Sequence, residues 1–278
     1  MAAIGSRNTL RVVREAAPGL YLDGGELGEI LLPRRYVTKG LGPGAELDVF
    51  IYRDSEDRLV ATTEKPLVMV GEFAFLQVVS ASAGLGAFLD WGLSKDLLLP
   101  RREQTRPVHA GEWVVVAVLL DPQSGRIVAT MRLNRQLSRT PPAYREGQRV
   151  RLLIAGYTPL GCQAIVENAH AGLLYAGELA TPPQIGERVD GYVRKVRADG
   201  KIDLGLDPAG YRRVAPLTEQ IVAALQANGG RSACDDGSSP EAIRLAFGTS
   251  KKAFKQALGA LYRDRRIRFT RPGVELVG

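Results

Sequence analysis

The sequence predicts a mainly β chain with a helical C-terminus: three small five-stranded barrels in tandem, then three helices and a β-hairpin. Two observations predict it. The first is a threefold repeat at fixed intervals, which decides the architecture before any local reading does. A glycine opens Gly19-Leu20-Tyr21-Leu22-Asp23, Gly86-Ala87-Phe88-Leu89-Asp90 and, more loosely, Gly161-Cys162-Gln163-Ala164. Fourteen residues after each glycine an apolar run closes on Pro33, Pro100 or Tyr175. Eleven residues further on, Gly44, Gly111 or Gly186 starts another strand-like segment. The second observation is a change of period: from Val214 onward the apolar residues recur at helical spacing.

Each repeat reads as strands joined by turns. Residues 46–52, 113–120 and 188–196 are rich in Val and Ile and partly alternate, as half-buried strands do. Asp54-Ser55-Glu56-Asp57, Asp121-Pro122-Gln123-Ser124-Gly125 and Ala198-Asp199-Gly200 then turn the chain back into 59–62, 127–130 and 201–204. About five short strands in roughly 65 residues fit a Greek-key barrel of the OB type. An SH3-like barrel has a similar strand count and stays open as an alternative.

In the C-terminal module, Leu217, Ile221 and Leu225 define a first helix, with Pro216 at its start and Asn228-Gly229-Gly230 as its stop. Ser239-Pro240-Glu241 supplies a cap, a first-turn proline and an acid at the positive dipole end of a second helix, which breaks at Gly248. A third helix starts at Thr249 or Ser250 and aligns Phe254, Leu258 and Leu261. Residues 267–270 and 274–277 form a hairpin about Arg271-Pro272-Gly273. Three helices and a hairpin make a winged helix. The expected modules are 1–66, 67–140, 141–212 and 213–278. Modules this small bury little core alone, so they are expected to pack on one another.

With 45% hydrophobic and 24% charged residues, the composition is that of a soluble globular protein. No apolar run is long enough to span a bilayer and no signal-peptide core is present, so no membrane partner is expected. Cys162 and Cys234 have no partner spacing and read as reduced thiols in a cytoplasm. The net charge of +7 is uneven: from Arg213 onward 11 Lys/Arg face 6 Asp/Glu, a surplus of five. A basic terminal module points to a polyanion.

The string Gly-Ala-Phe-Leu-Asp at 86–90, its apolar run and the Gly111-Glu112 segment resemble the S1-type RNA-binding domain, an OB-fold variant. Gly24-Gly25-Glu26-Leu27-Gly28-Glu29-Ile30-Leu31-Leu32-Pro33 resembles the bacterial conserved virulence factor B family. So does Gly191-Tyr192-Val193-Arg194-Lys195-Val196-Arg197-Ala198-Asp199-Gly200-Lys201-Ile202-Asp203-Leu204. That resemblance covers almost the whole chain. It implies three S1-type barrels, a C-terminal winged helix and RNA binding.

It also implies where bases would stack: two aromatic positions on adjacent strands and a histidine after the apolar run. The first position holds Tyr21, Phe88 and Gln163; the second holds Pro18, Leu85 and Leu160; the histidine position holds Pro33, Pro100 and Tyr175. Tyr21, Phe88 and Tyr175 are therefore the candidate stacking rings, with core packing as the other reading of Tyr21 and Phe88. Arg34-Arg35 and Arg101-Arg102 follow the two prolines and suit phosphate or base contact, whereas repeat three has Ala176-Gly177. Arg194, Lys195, Arg197 and Lys201 crowd one hairpin, where packing and binding both fit. In the winged helix Lys251, Lys252 and Lys255 sit early on the third helix, and Arg263, Arg265, Arg266, Arg268 and Arg271 extend the basic surface.

Nothing in the sequence organises catalysis. His109 and His170 read as polar loop residues, and there is no zinc spacing, phosphate loop or nucleophile elbow. The expected function is a non-enzymatic, cytoplasmic RNA-binding protein, a post-transcriptional regulator that holds single-stranded RNA without a cofactor. The alternatives are a DNA-associated transcriptional regulator acting through its winged helix, and a protein-interaction adaptor.

Overall fold

The computed structural model describes every residue but 1, 39, 180, 208–210, 271, 272 and 278, with backbone alone at 211–216. The chain divides into two compact units, Met1–Leu137 and Ser138–Gly278.

The first unit holds two barrels. Strands β1 (Arg7–Ala16), β2 (Gly19–Asp23), β3 (Glu29–Pro33), β4 (Glu46–Arg53) and β5 (Leu59–Thr62) close in the order β1-β2-β3-β5-β4. Strands β6 (Phe73–Ser82), β7 (Gly86–Asp90), β8 (Leu97–Pro100), β9 (Trp113–Leu120) and β10 (Ile127–Thr130) repeat that order. The parallel pairing of third and fifth strands, Leu31 beside Val60 and Leu98 beside Val128, brings the last strand home as the OB Greek key does. That topology decides against the SH3-like alternative.

Alternation fills each barrel: Leu20 and Leu22 on β2 meet Ile30 and Leu32 on β3, all buried. The opening glycine of each repeat has a steric cause. Gly86 sits at φ 130°, and a Cβ there would lie 2.2 Å from the Leu99 carbonyl oxygen and 2.8 Å from the Arg101 nitrogen. Gly19 and Gly161 meet Leu32 and Leu174 in the same way, each at 2.0 Å.

The two barrels share one apolar cluster, in which Phe50, Tyr52 and Val60 pack with Val68, Trp91 and Leu93. The Phe50 and Trp91 rings meet edge-on, 5.6 Å apart at 82°. Burial in this seam pushes the Tyr52 hydroxyl up to about 12. Arg126 grips Asp57 across the seam with two bonds of 2.6 and 2.7 Å. Modules that bury little core alone thus share part of it.

The second unit holds the third barrel and the winged helix. Strands β11 (Arg149–Thr158), β12 (Gly161–Val166), β13 (His170–Tyr175), β14 (Arg188–Val196) and β15 (Ile202–Gly205) close in the same cyclic order. Helix α1 (Tyr211–Ala227) begins five residues before Pro216, where the sequence placed its start, and two before the expected module limit at 213. Next come β16 (Arg231–Ser232), α2 (Pro240–Phe247), α3 (Lys251–Arg263), β17 (Ile267–Phe269) and β18 (Val274–Leu276). The two-residue β16, too short to leave a periodic signal, joins the hairpin in the order β16-β18-β17.

Ser239 accepts from the Ala242 N–H, Gly248 ends α2 in the left-handed region at φ 60°, and Ser250, rather than Thr249, caps α3 through the Ala253 N–H. Leu217, Ile221 and Leu225 of α1 pack on Phe254, Leu258 and Leu261 of α3. Cys162 and Cys234 are free thiols. Among the described residues no helix is long and apolar enough to cross a membrane.

Candidate nucleic-acid interface

Because Leu20 and Leu22 point into the first barrel, Tyr21 points out of it. The register repeats this in all three barrels: Tyr21 lies opposite Leu31, Phe88 opposite Leu98, and Gln163 opposite Leu173. Tyr21 and Phe88 are half-buried on the outer face and neither fills its barrel; Gln163 is exposed.

The two rings differ in what covers them. A register shift between Val12 and Arg14 places Arg14 opposite Tyr21, and its guanidinium lies 3.7 Å from the ring centroid. Glu29 holds Arg14 at 2.6 Å, and that hydrogen bond raises the guanidinium pKa above its ordinary value. In the second barrel the residue opposite Phe88 on β6 is Ser80, too short to cover the ring. Tyr175 is tied in place instead. Its hydroxyl donates to Asp203 at 3.2 Å and accepts from Arg197, which also pairs with Asp203 at 2.8 Å. Two other cations of that hairpin are matched too: Arg194 pairs with Asp207 at 2.6 Å and Lys201 with Asp199 at 2.9 Å. Lys195 is exposed.

A short 3-10 turn follows the third strand of each barrel, at Arg34–Tyr36, Arg101–Glu103 and Ala176–Glu178. Since Pro33 pairs with Gly19 and Pro100 with Gly86, these turns put the arginine pairs one step beyond the ring ladders. Arg34 pairs with Glu15 at 3.0 Å, and Arg35 lies 4.7 Å over the Tyr36 ring. Arg101 donates to the Ala83 carbonyl at 2.6 Å, while Arg102 stays exposed, 3.6 Å from Asp121. In the first two barrels the arginine pair starts three residues beyond the ring's cross-strand partner, Leu31 or Leu98; the third has neither an outward ring at that position nor the arginines.

In the winged helix, Lys251 donates to the Gly237 carbonyl at 3.3 Å, and Lys255 stands 4.0 Å from Asp236. Lys252 pairs with Glu178, in the turn after β13, so the start of α3 meets the third barrel. Arg265 and Arg266 are exposed. Arg268 pairs with Glu275 and holds that carboxyl below the usual carboxylate range. Arg271 lies outside the described residues.

Sequence reasoning missed Arg14, because only the register shift on β1 places it over Tyr21. It also missed a pair of rings on the second barrel. Trp113, 52% exposed, lies 5.3 Å from Phe75 and opposite Gln77. The signal was present in the repeat, where Trp113 stands at the position of Glu46 and Arg188.

His109 bonds Glu112 at 2.8 Å, and His170 bonds the Tyr144 hydroxyl and the Thr140 carbonyl, so both histidines serve as polar fasteners. Among the described residues no group of three or more His, Cys, Asp or Glu could hold a metal ion.

Two family profiles match the chain: one described as S1 domain over residues 4–64, the other as CvfB-like winged helix domain over 219–276. The uncharacterized protein YitL of Bacillus subtilis is 29% identical over 95% of this chain and 90% of its own length. Conserved virulence factor B of Staphylococcus saprophyticus is 26% identical over 81% of this chain and 77% of its own length. A crystal structure of a multidomain protein with nucleic acid binding domains from Streptococcus pneumoniae covers 99% of this chain and 98% of its own. It aligns at 24% identity with a TM-score of 0.41.

Proposed function

Because the chain belongs to the conserved virulence factor B family, we propose that it is a cytoplasmic, non-enzymatic RNA-binding protein. In this reading it is a post-transcriptional regulator that needs no cofactor and holds single-stranded RNA on its barrels and its basic winged helix. The observation that carries the reading is Phe88: a ring outside the second barrel, opposite Ser80 and Leu98, with Arg101 and Arg102 at the foot of the same ladder. A flat ring beside guanidinium groups suits an unpaired base and its phosphate. A duplex keeps its bases inside and leaves such a ring without a partner.

Tyr21 with Arg34 and Arg35 repeats the arrangement in the first barrel under a guanidinium cover. Lys251, Lys255, Arg265, Arg266, Arg268 and Arg271 supply charge from the winged helix. Tyr175 serves mainly to position Arg197 and Asp203. The four modules divide near residues 66, 140 and 212. The regulator alternative requires α3 to enter a major groove with its first residues at base edges. Lys252 at that end is held by Glu178, which weighs against base reading there.

The test is a binding comparison of single-stranded RNA with duplex DNA of equal length over a salt series. Single-stranded RNA should bind more tightly, and its affinity should fall about 300-fold between 50 and 200 mM salt if about six phosphates are neutralised. Equal or tighter duplex binding would favour the DNA regulator. A second measurement concerns α3. Replacing Lys251, Lys252 and Lys255 with alanine should weaken binding evenly across RNA sequences and lower the salt slope by about 2. Each phosphate contact on a single strand carries about 0.7 of slope, and Lys252 counts for the least because Glu178 already holds it. An unchanged slope in a folded variant would make this module a protein-docking element.

A further inference from the structure

At the far end of α3 from the third barrel, Tyr262 and Phe269 lie side by side, with ring centroids 5.3 Å apart and planes at 52°. Tyr262 comes from the last turn of α3 and Phe269 from β17. Among the described residues the other rings of this module, Phe247 and Phe254, stack on each other at 4.8 Å in and against its core. Tyr262 and Phe269 instead remain 55% and 43% exposed. Two exposed rings in contact add little to a core and leave part of each ring open to a partner.

Charge identifies the occupant. Between the two rings the chain carries Arg263, Arg265, Arg266 and Arg268 against one acid, Asp264. Among the described residues Arg265 and Arg266 have no acid partner, and Arg268, though paired with Glu275, stays 68% exposed. Arg265 adopts φ 56°, uncommon for a residue with a side chain, and its N–H donates to the Tyr262 carbonyl at 3.1 Å. The turn that sets the guanidinium groups beside the rings is thus held by the backbone. An aliphatic protein surface would find two rings fenced by guanidinium groups; a single strand offers a π-face for each ring and a phosphate for each cation.

We infer that Tyr262 and Phe269 form a stacking platform for single-stranded nucleic acid, whose backbone Arg265 and Arg266 hold. The inference rests on the RNA-binding reading above and adds a contact in the second unit that the repeats did not signal. Its test uses the full chain and an oligouridine of about 16 nucleotides, the upper site size of one OB fold. With one 4-thiouridine in that strand, crosslinks should map to residues 262–269. Tyr262→Ala with Phe269→Ala should weaken binding about thirtyfold or more, two lost stacking contacts of about 1–3 kcal/mol each, whereas Tyr262→Phe should bind as the unaltered chain does. Arg265→Gln with Arg266→Gln should lower the salt slope by about 1–2. Since both rings are exposed, the thermal midpoint should hold; if the double alanine variant fails to fold, the crosslinks and the arginine variant decide. No crosslink in that segment, with affinity and slope unchanged while Phe88→Ala still weakens binding, overturns the platform alone. Absence of RNA binding by the unaltered chain overturns both readings.

Discussion

Gly86→Ala should destabilise the first unit by about 3–5 kcal/mol, through a methyl group forced into backbone and a positive φ imposed on alanine. The added Cβ would lie 2.2 Å from the Leu99 carbonyl oxygen and 2.8 Å from the Arg101 nitrogen. Neither atom can move without pulling β8 off β7, because Gly86 pairs directly with Pro100. The shared cluster around Phe50 and Trp91 ties the two barrels together, so both should lose stability in one transition. A drop in thermal midpoint of about 10 °C or more is the expected reading. Gly84 is the control: two residues away in the same hairpin, it has nothing within 4 Å of a built Cβ. Gly84→Ala should stay within about 0.5 kcal/mol. If the two variants melt alike, the close approach does not explain the repeated glycine.

Phe88→Ala should lower the affinity for single-stranded RNA by about 1–3 kcal/mol, up to roughly a hundredfold, with a thermal midpoint close to that of the unaltered chain. The ring lies outside the barrel beside Ser80, so its removal opens no core cavity. Tyr21→Ala should lose less, because Arg14 already occupies one face of that ring at 3.7 Å. Gln163→Ala, at the matching position of the third barrel, should change neither affinity nor stability. Affinity and thermal midpoint on the same three variants separate the readings. A stability loss of about 3–5 kcal/mol in Phe88→Ala, with binding per folded molecule intact, would mean that the ring is core after all. Charge would then be the main attraction.

The fold and the candidate site were legible to different depths. Glycine, apolar run and second glycine at constant spacing announced three equal barrels, because a backbone that must pass a neighbour without a Cβ leaves an obligatory glycine in the text. Caps at Ser239 and Ser250 were legible for a similar local reason: a hydroxyl one residue before a helix has few other uses. The start of α1 was not, since Pro216 looks like a helix start wherever it falls. Nor was β16, whose two residues carry no period. At the site, the outward rings and paired arginines could be picked out by position within the repeat, but not what stands over them. Arg14 and Tyr21 are seven residues apart in the chain, and a one-residue register shift alone makes them partners.

The sequence by itself determined that three small barrels precede a helical module, the basic bias of that last module and the repeat positions of the candidate rings, all written in local periodicity and repeat spacing. Only the tertiary structure decided between OB and SH3-like closure, for that depends on the fifth strand lying parallel to the third across a long connection. It alone decided that Phe88 is open while Tyr21 is covered and Tyr175 tied down. It also placed Lys252 against Glu178 and set Tyr262 beside Phe269. Each of these is a meeting between residues distant along the chain or aligned by register. Side-chain period is a property of one segment, whereas contact is a property of two, and the second segment is known only when the chain has closed on itself.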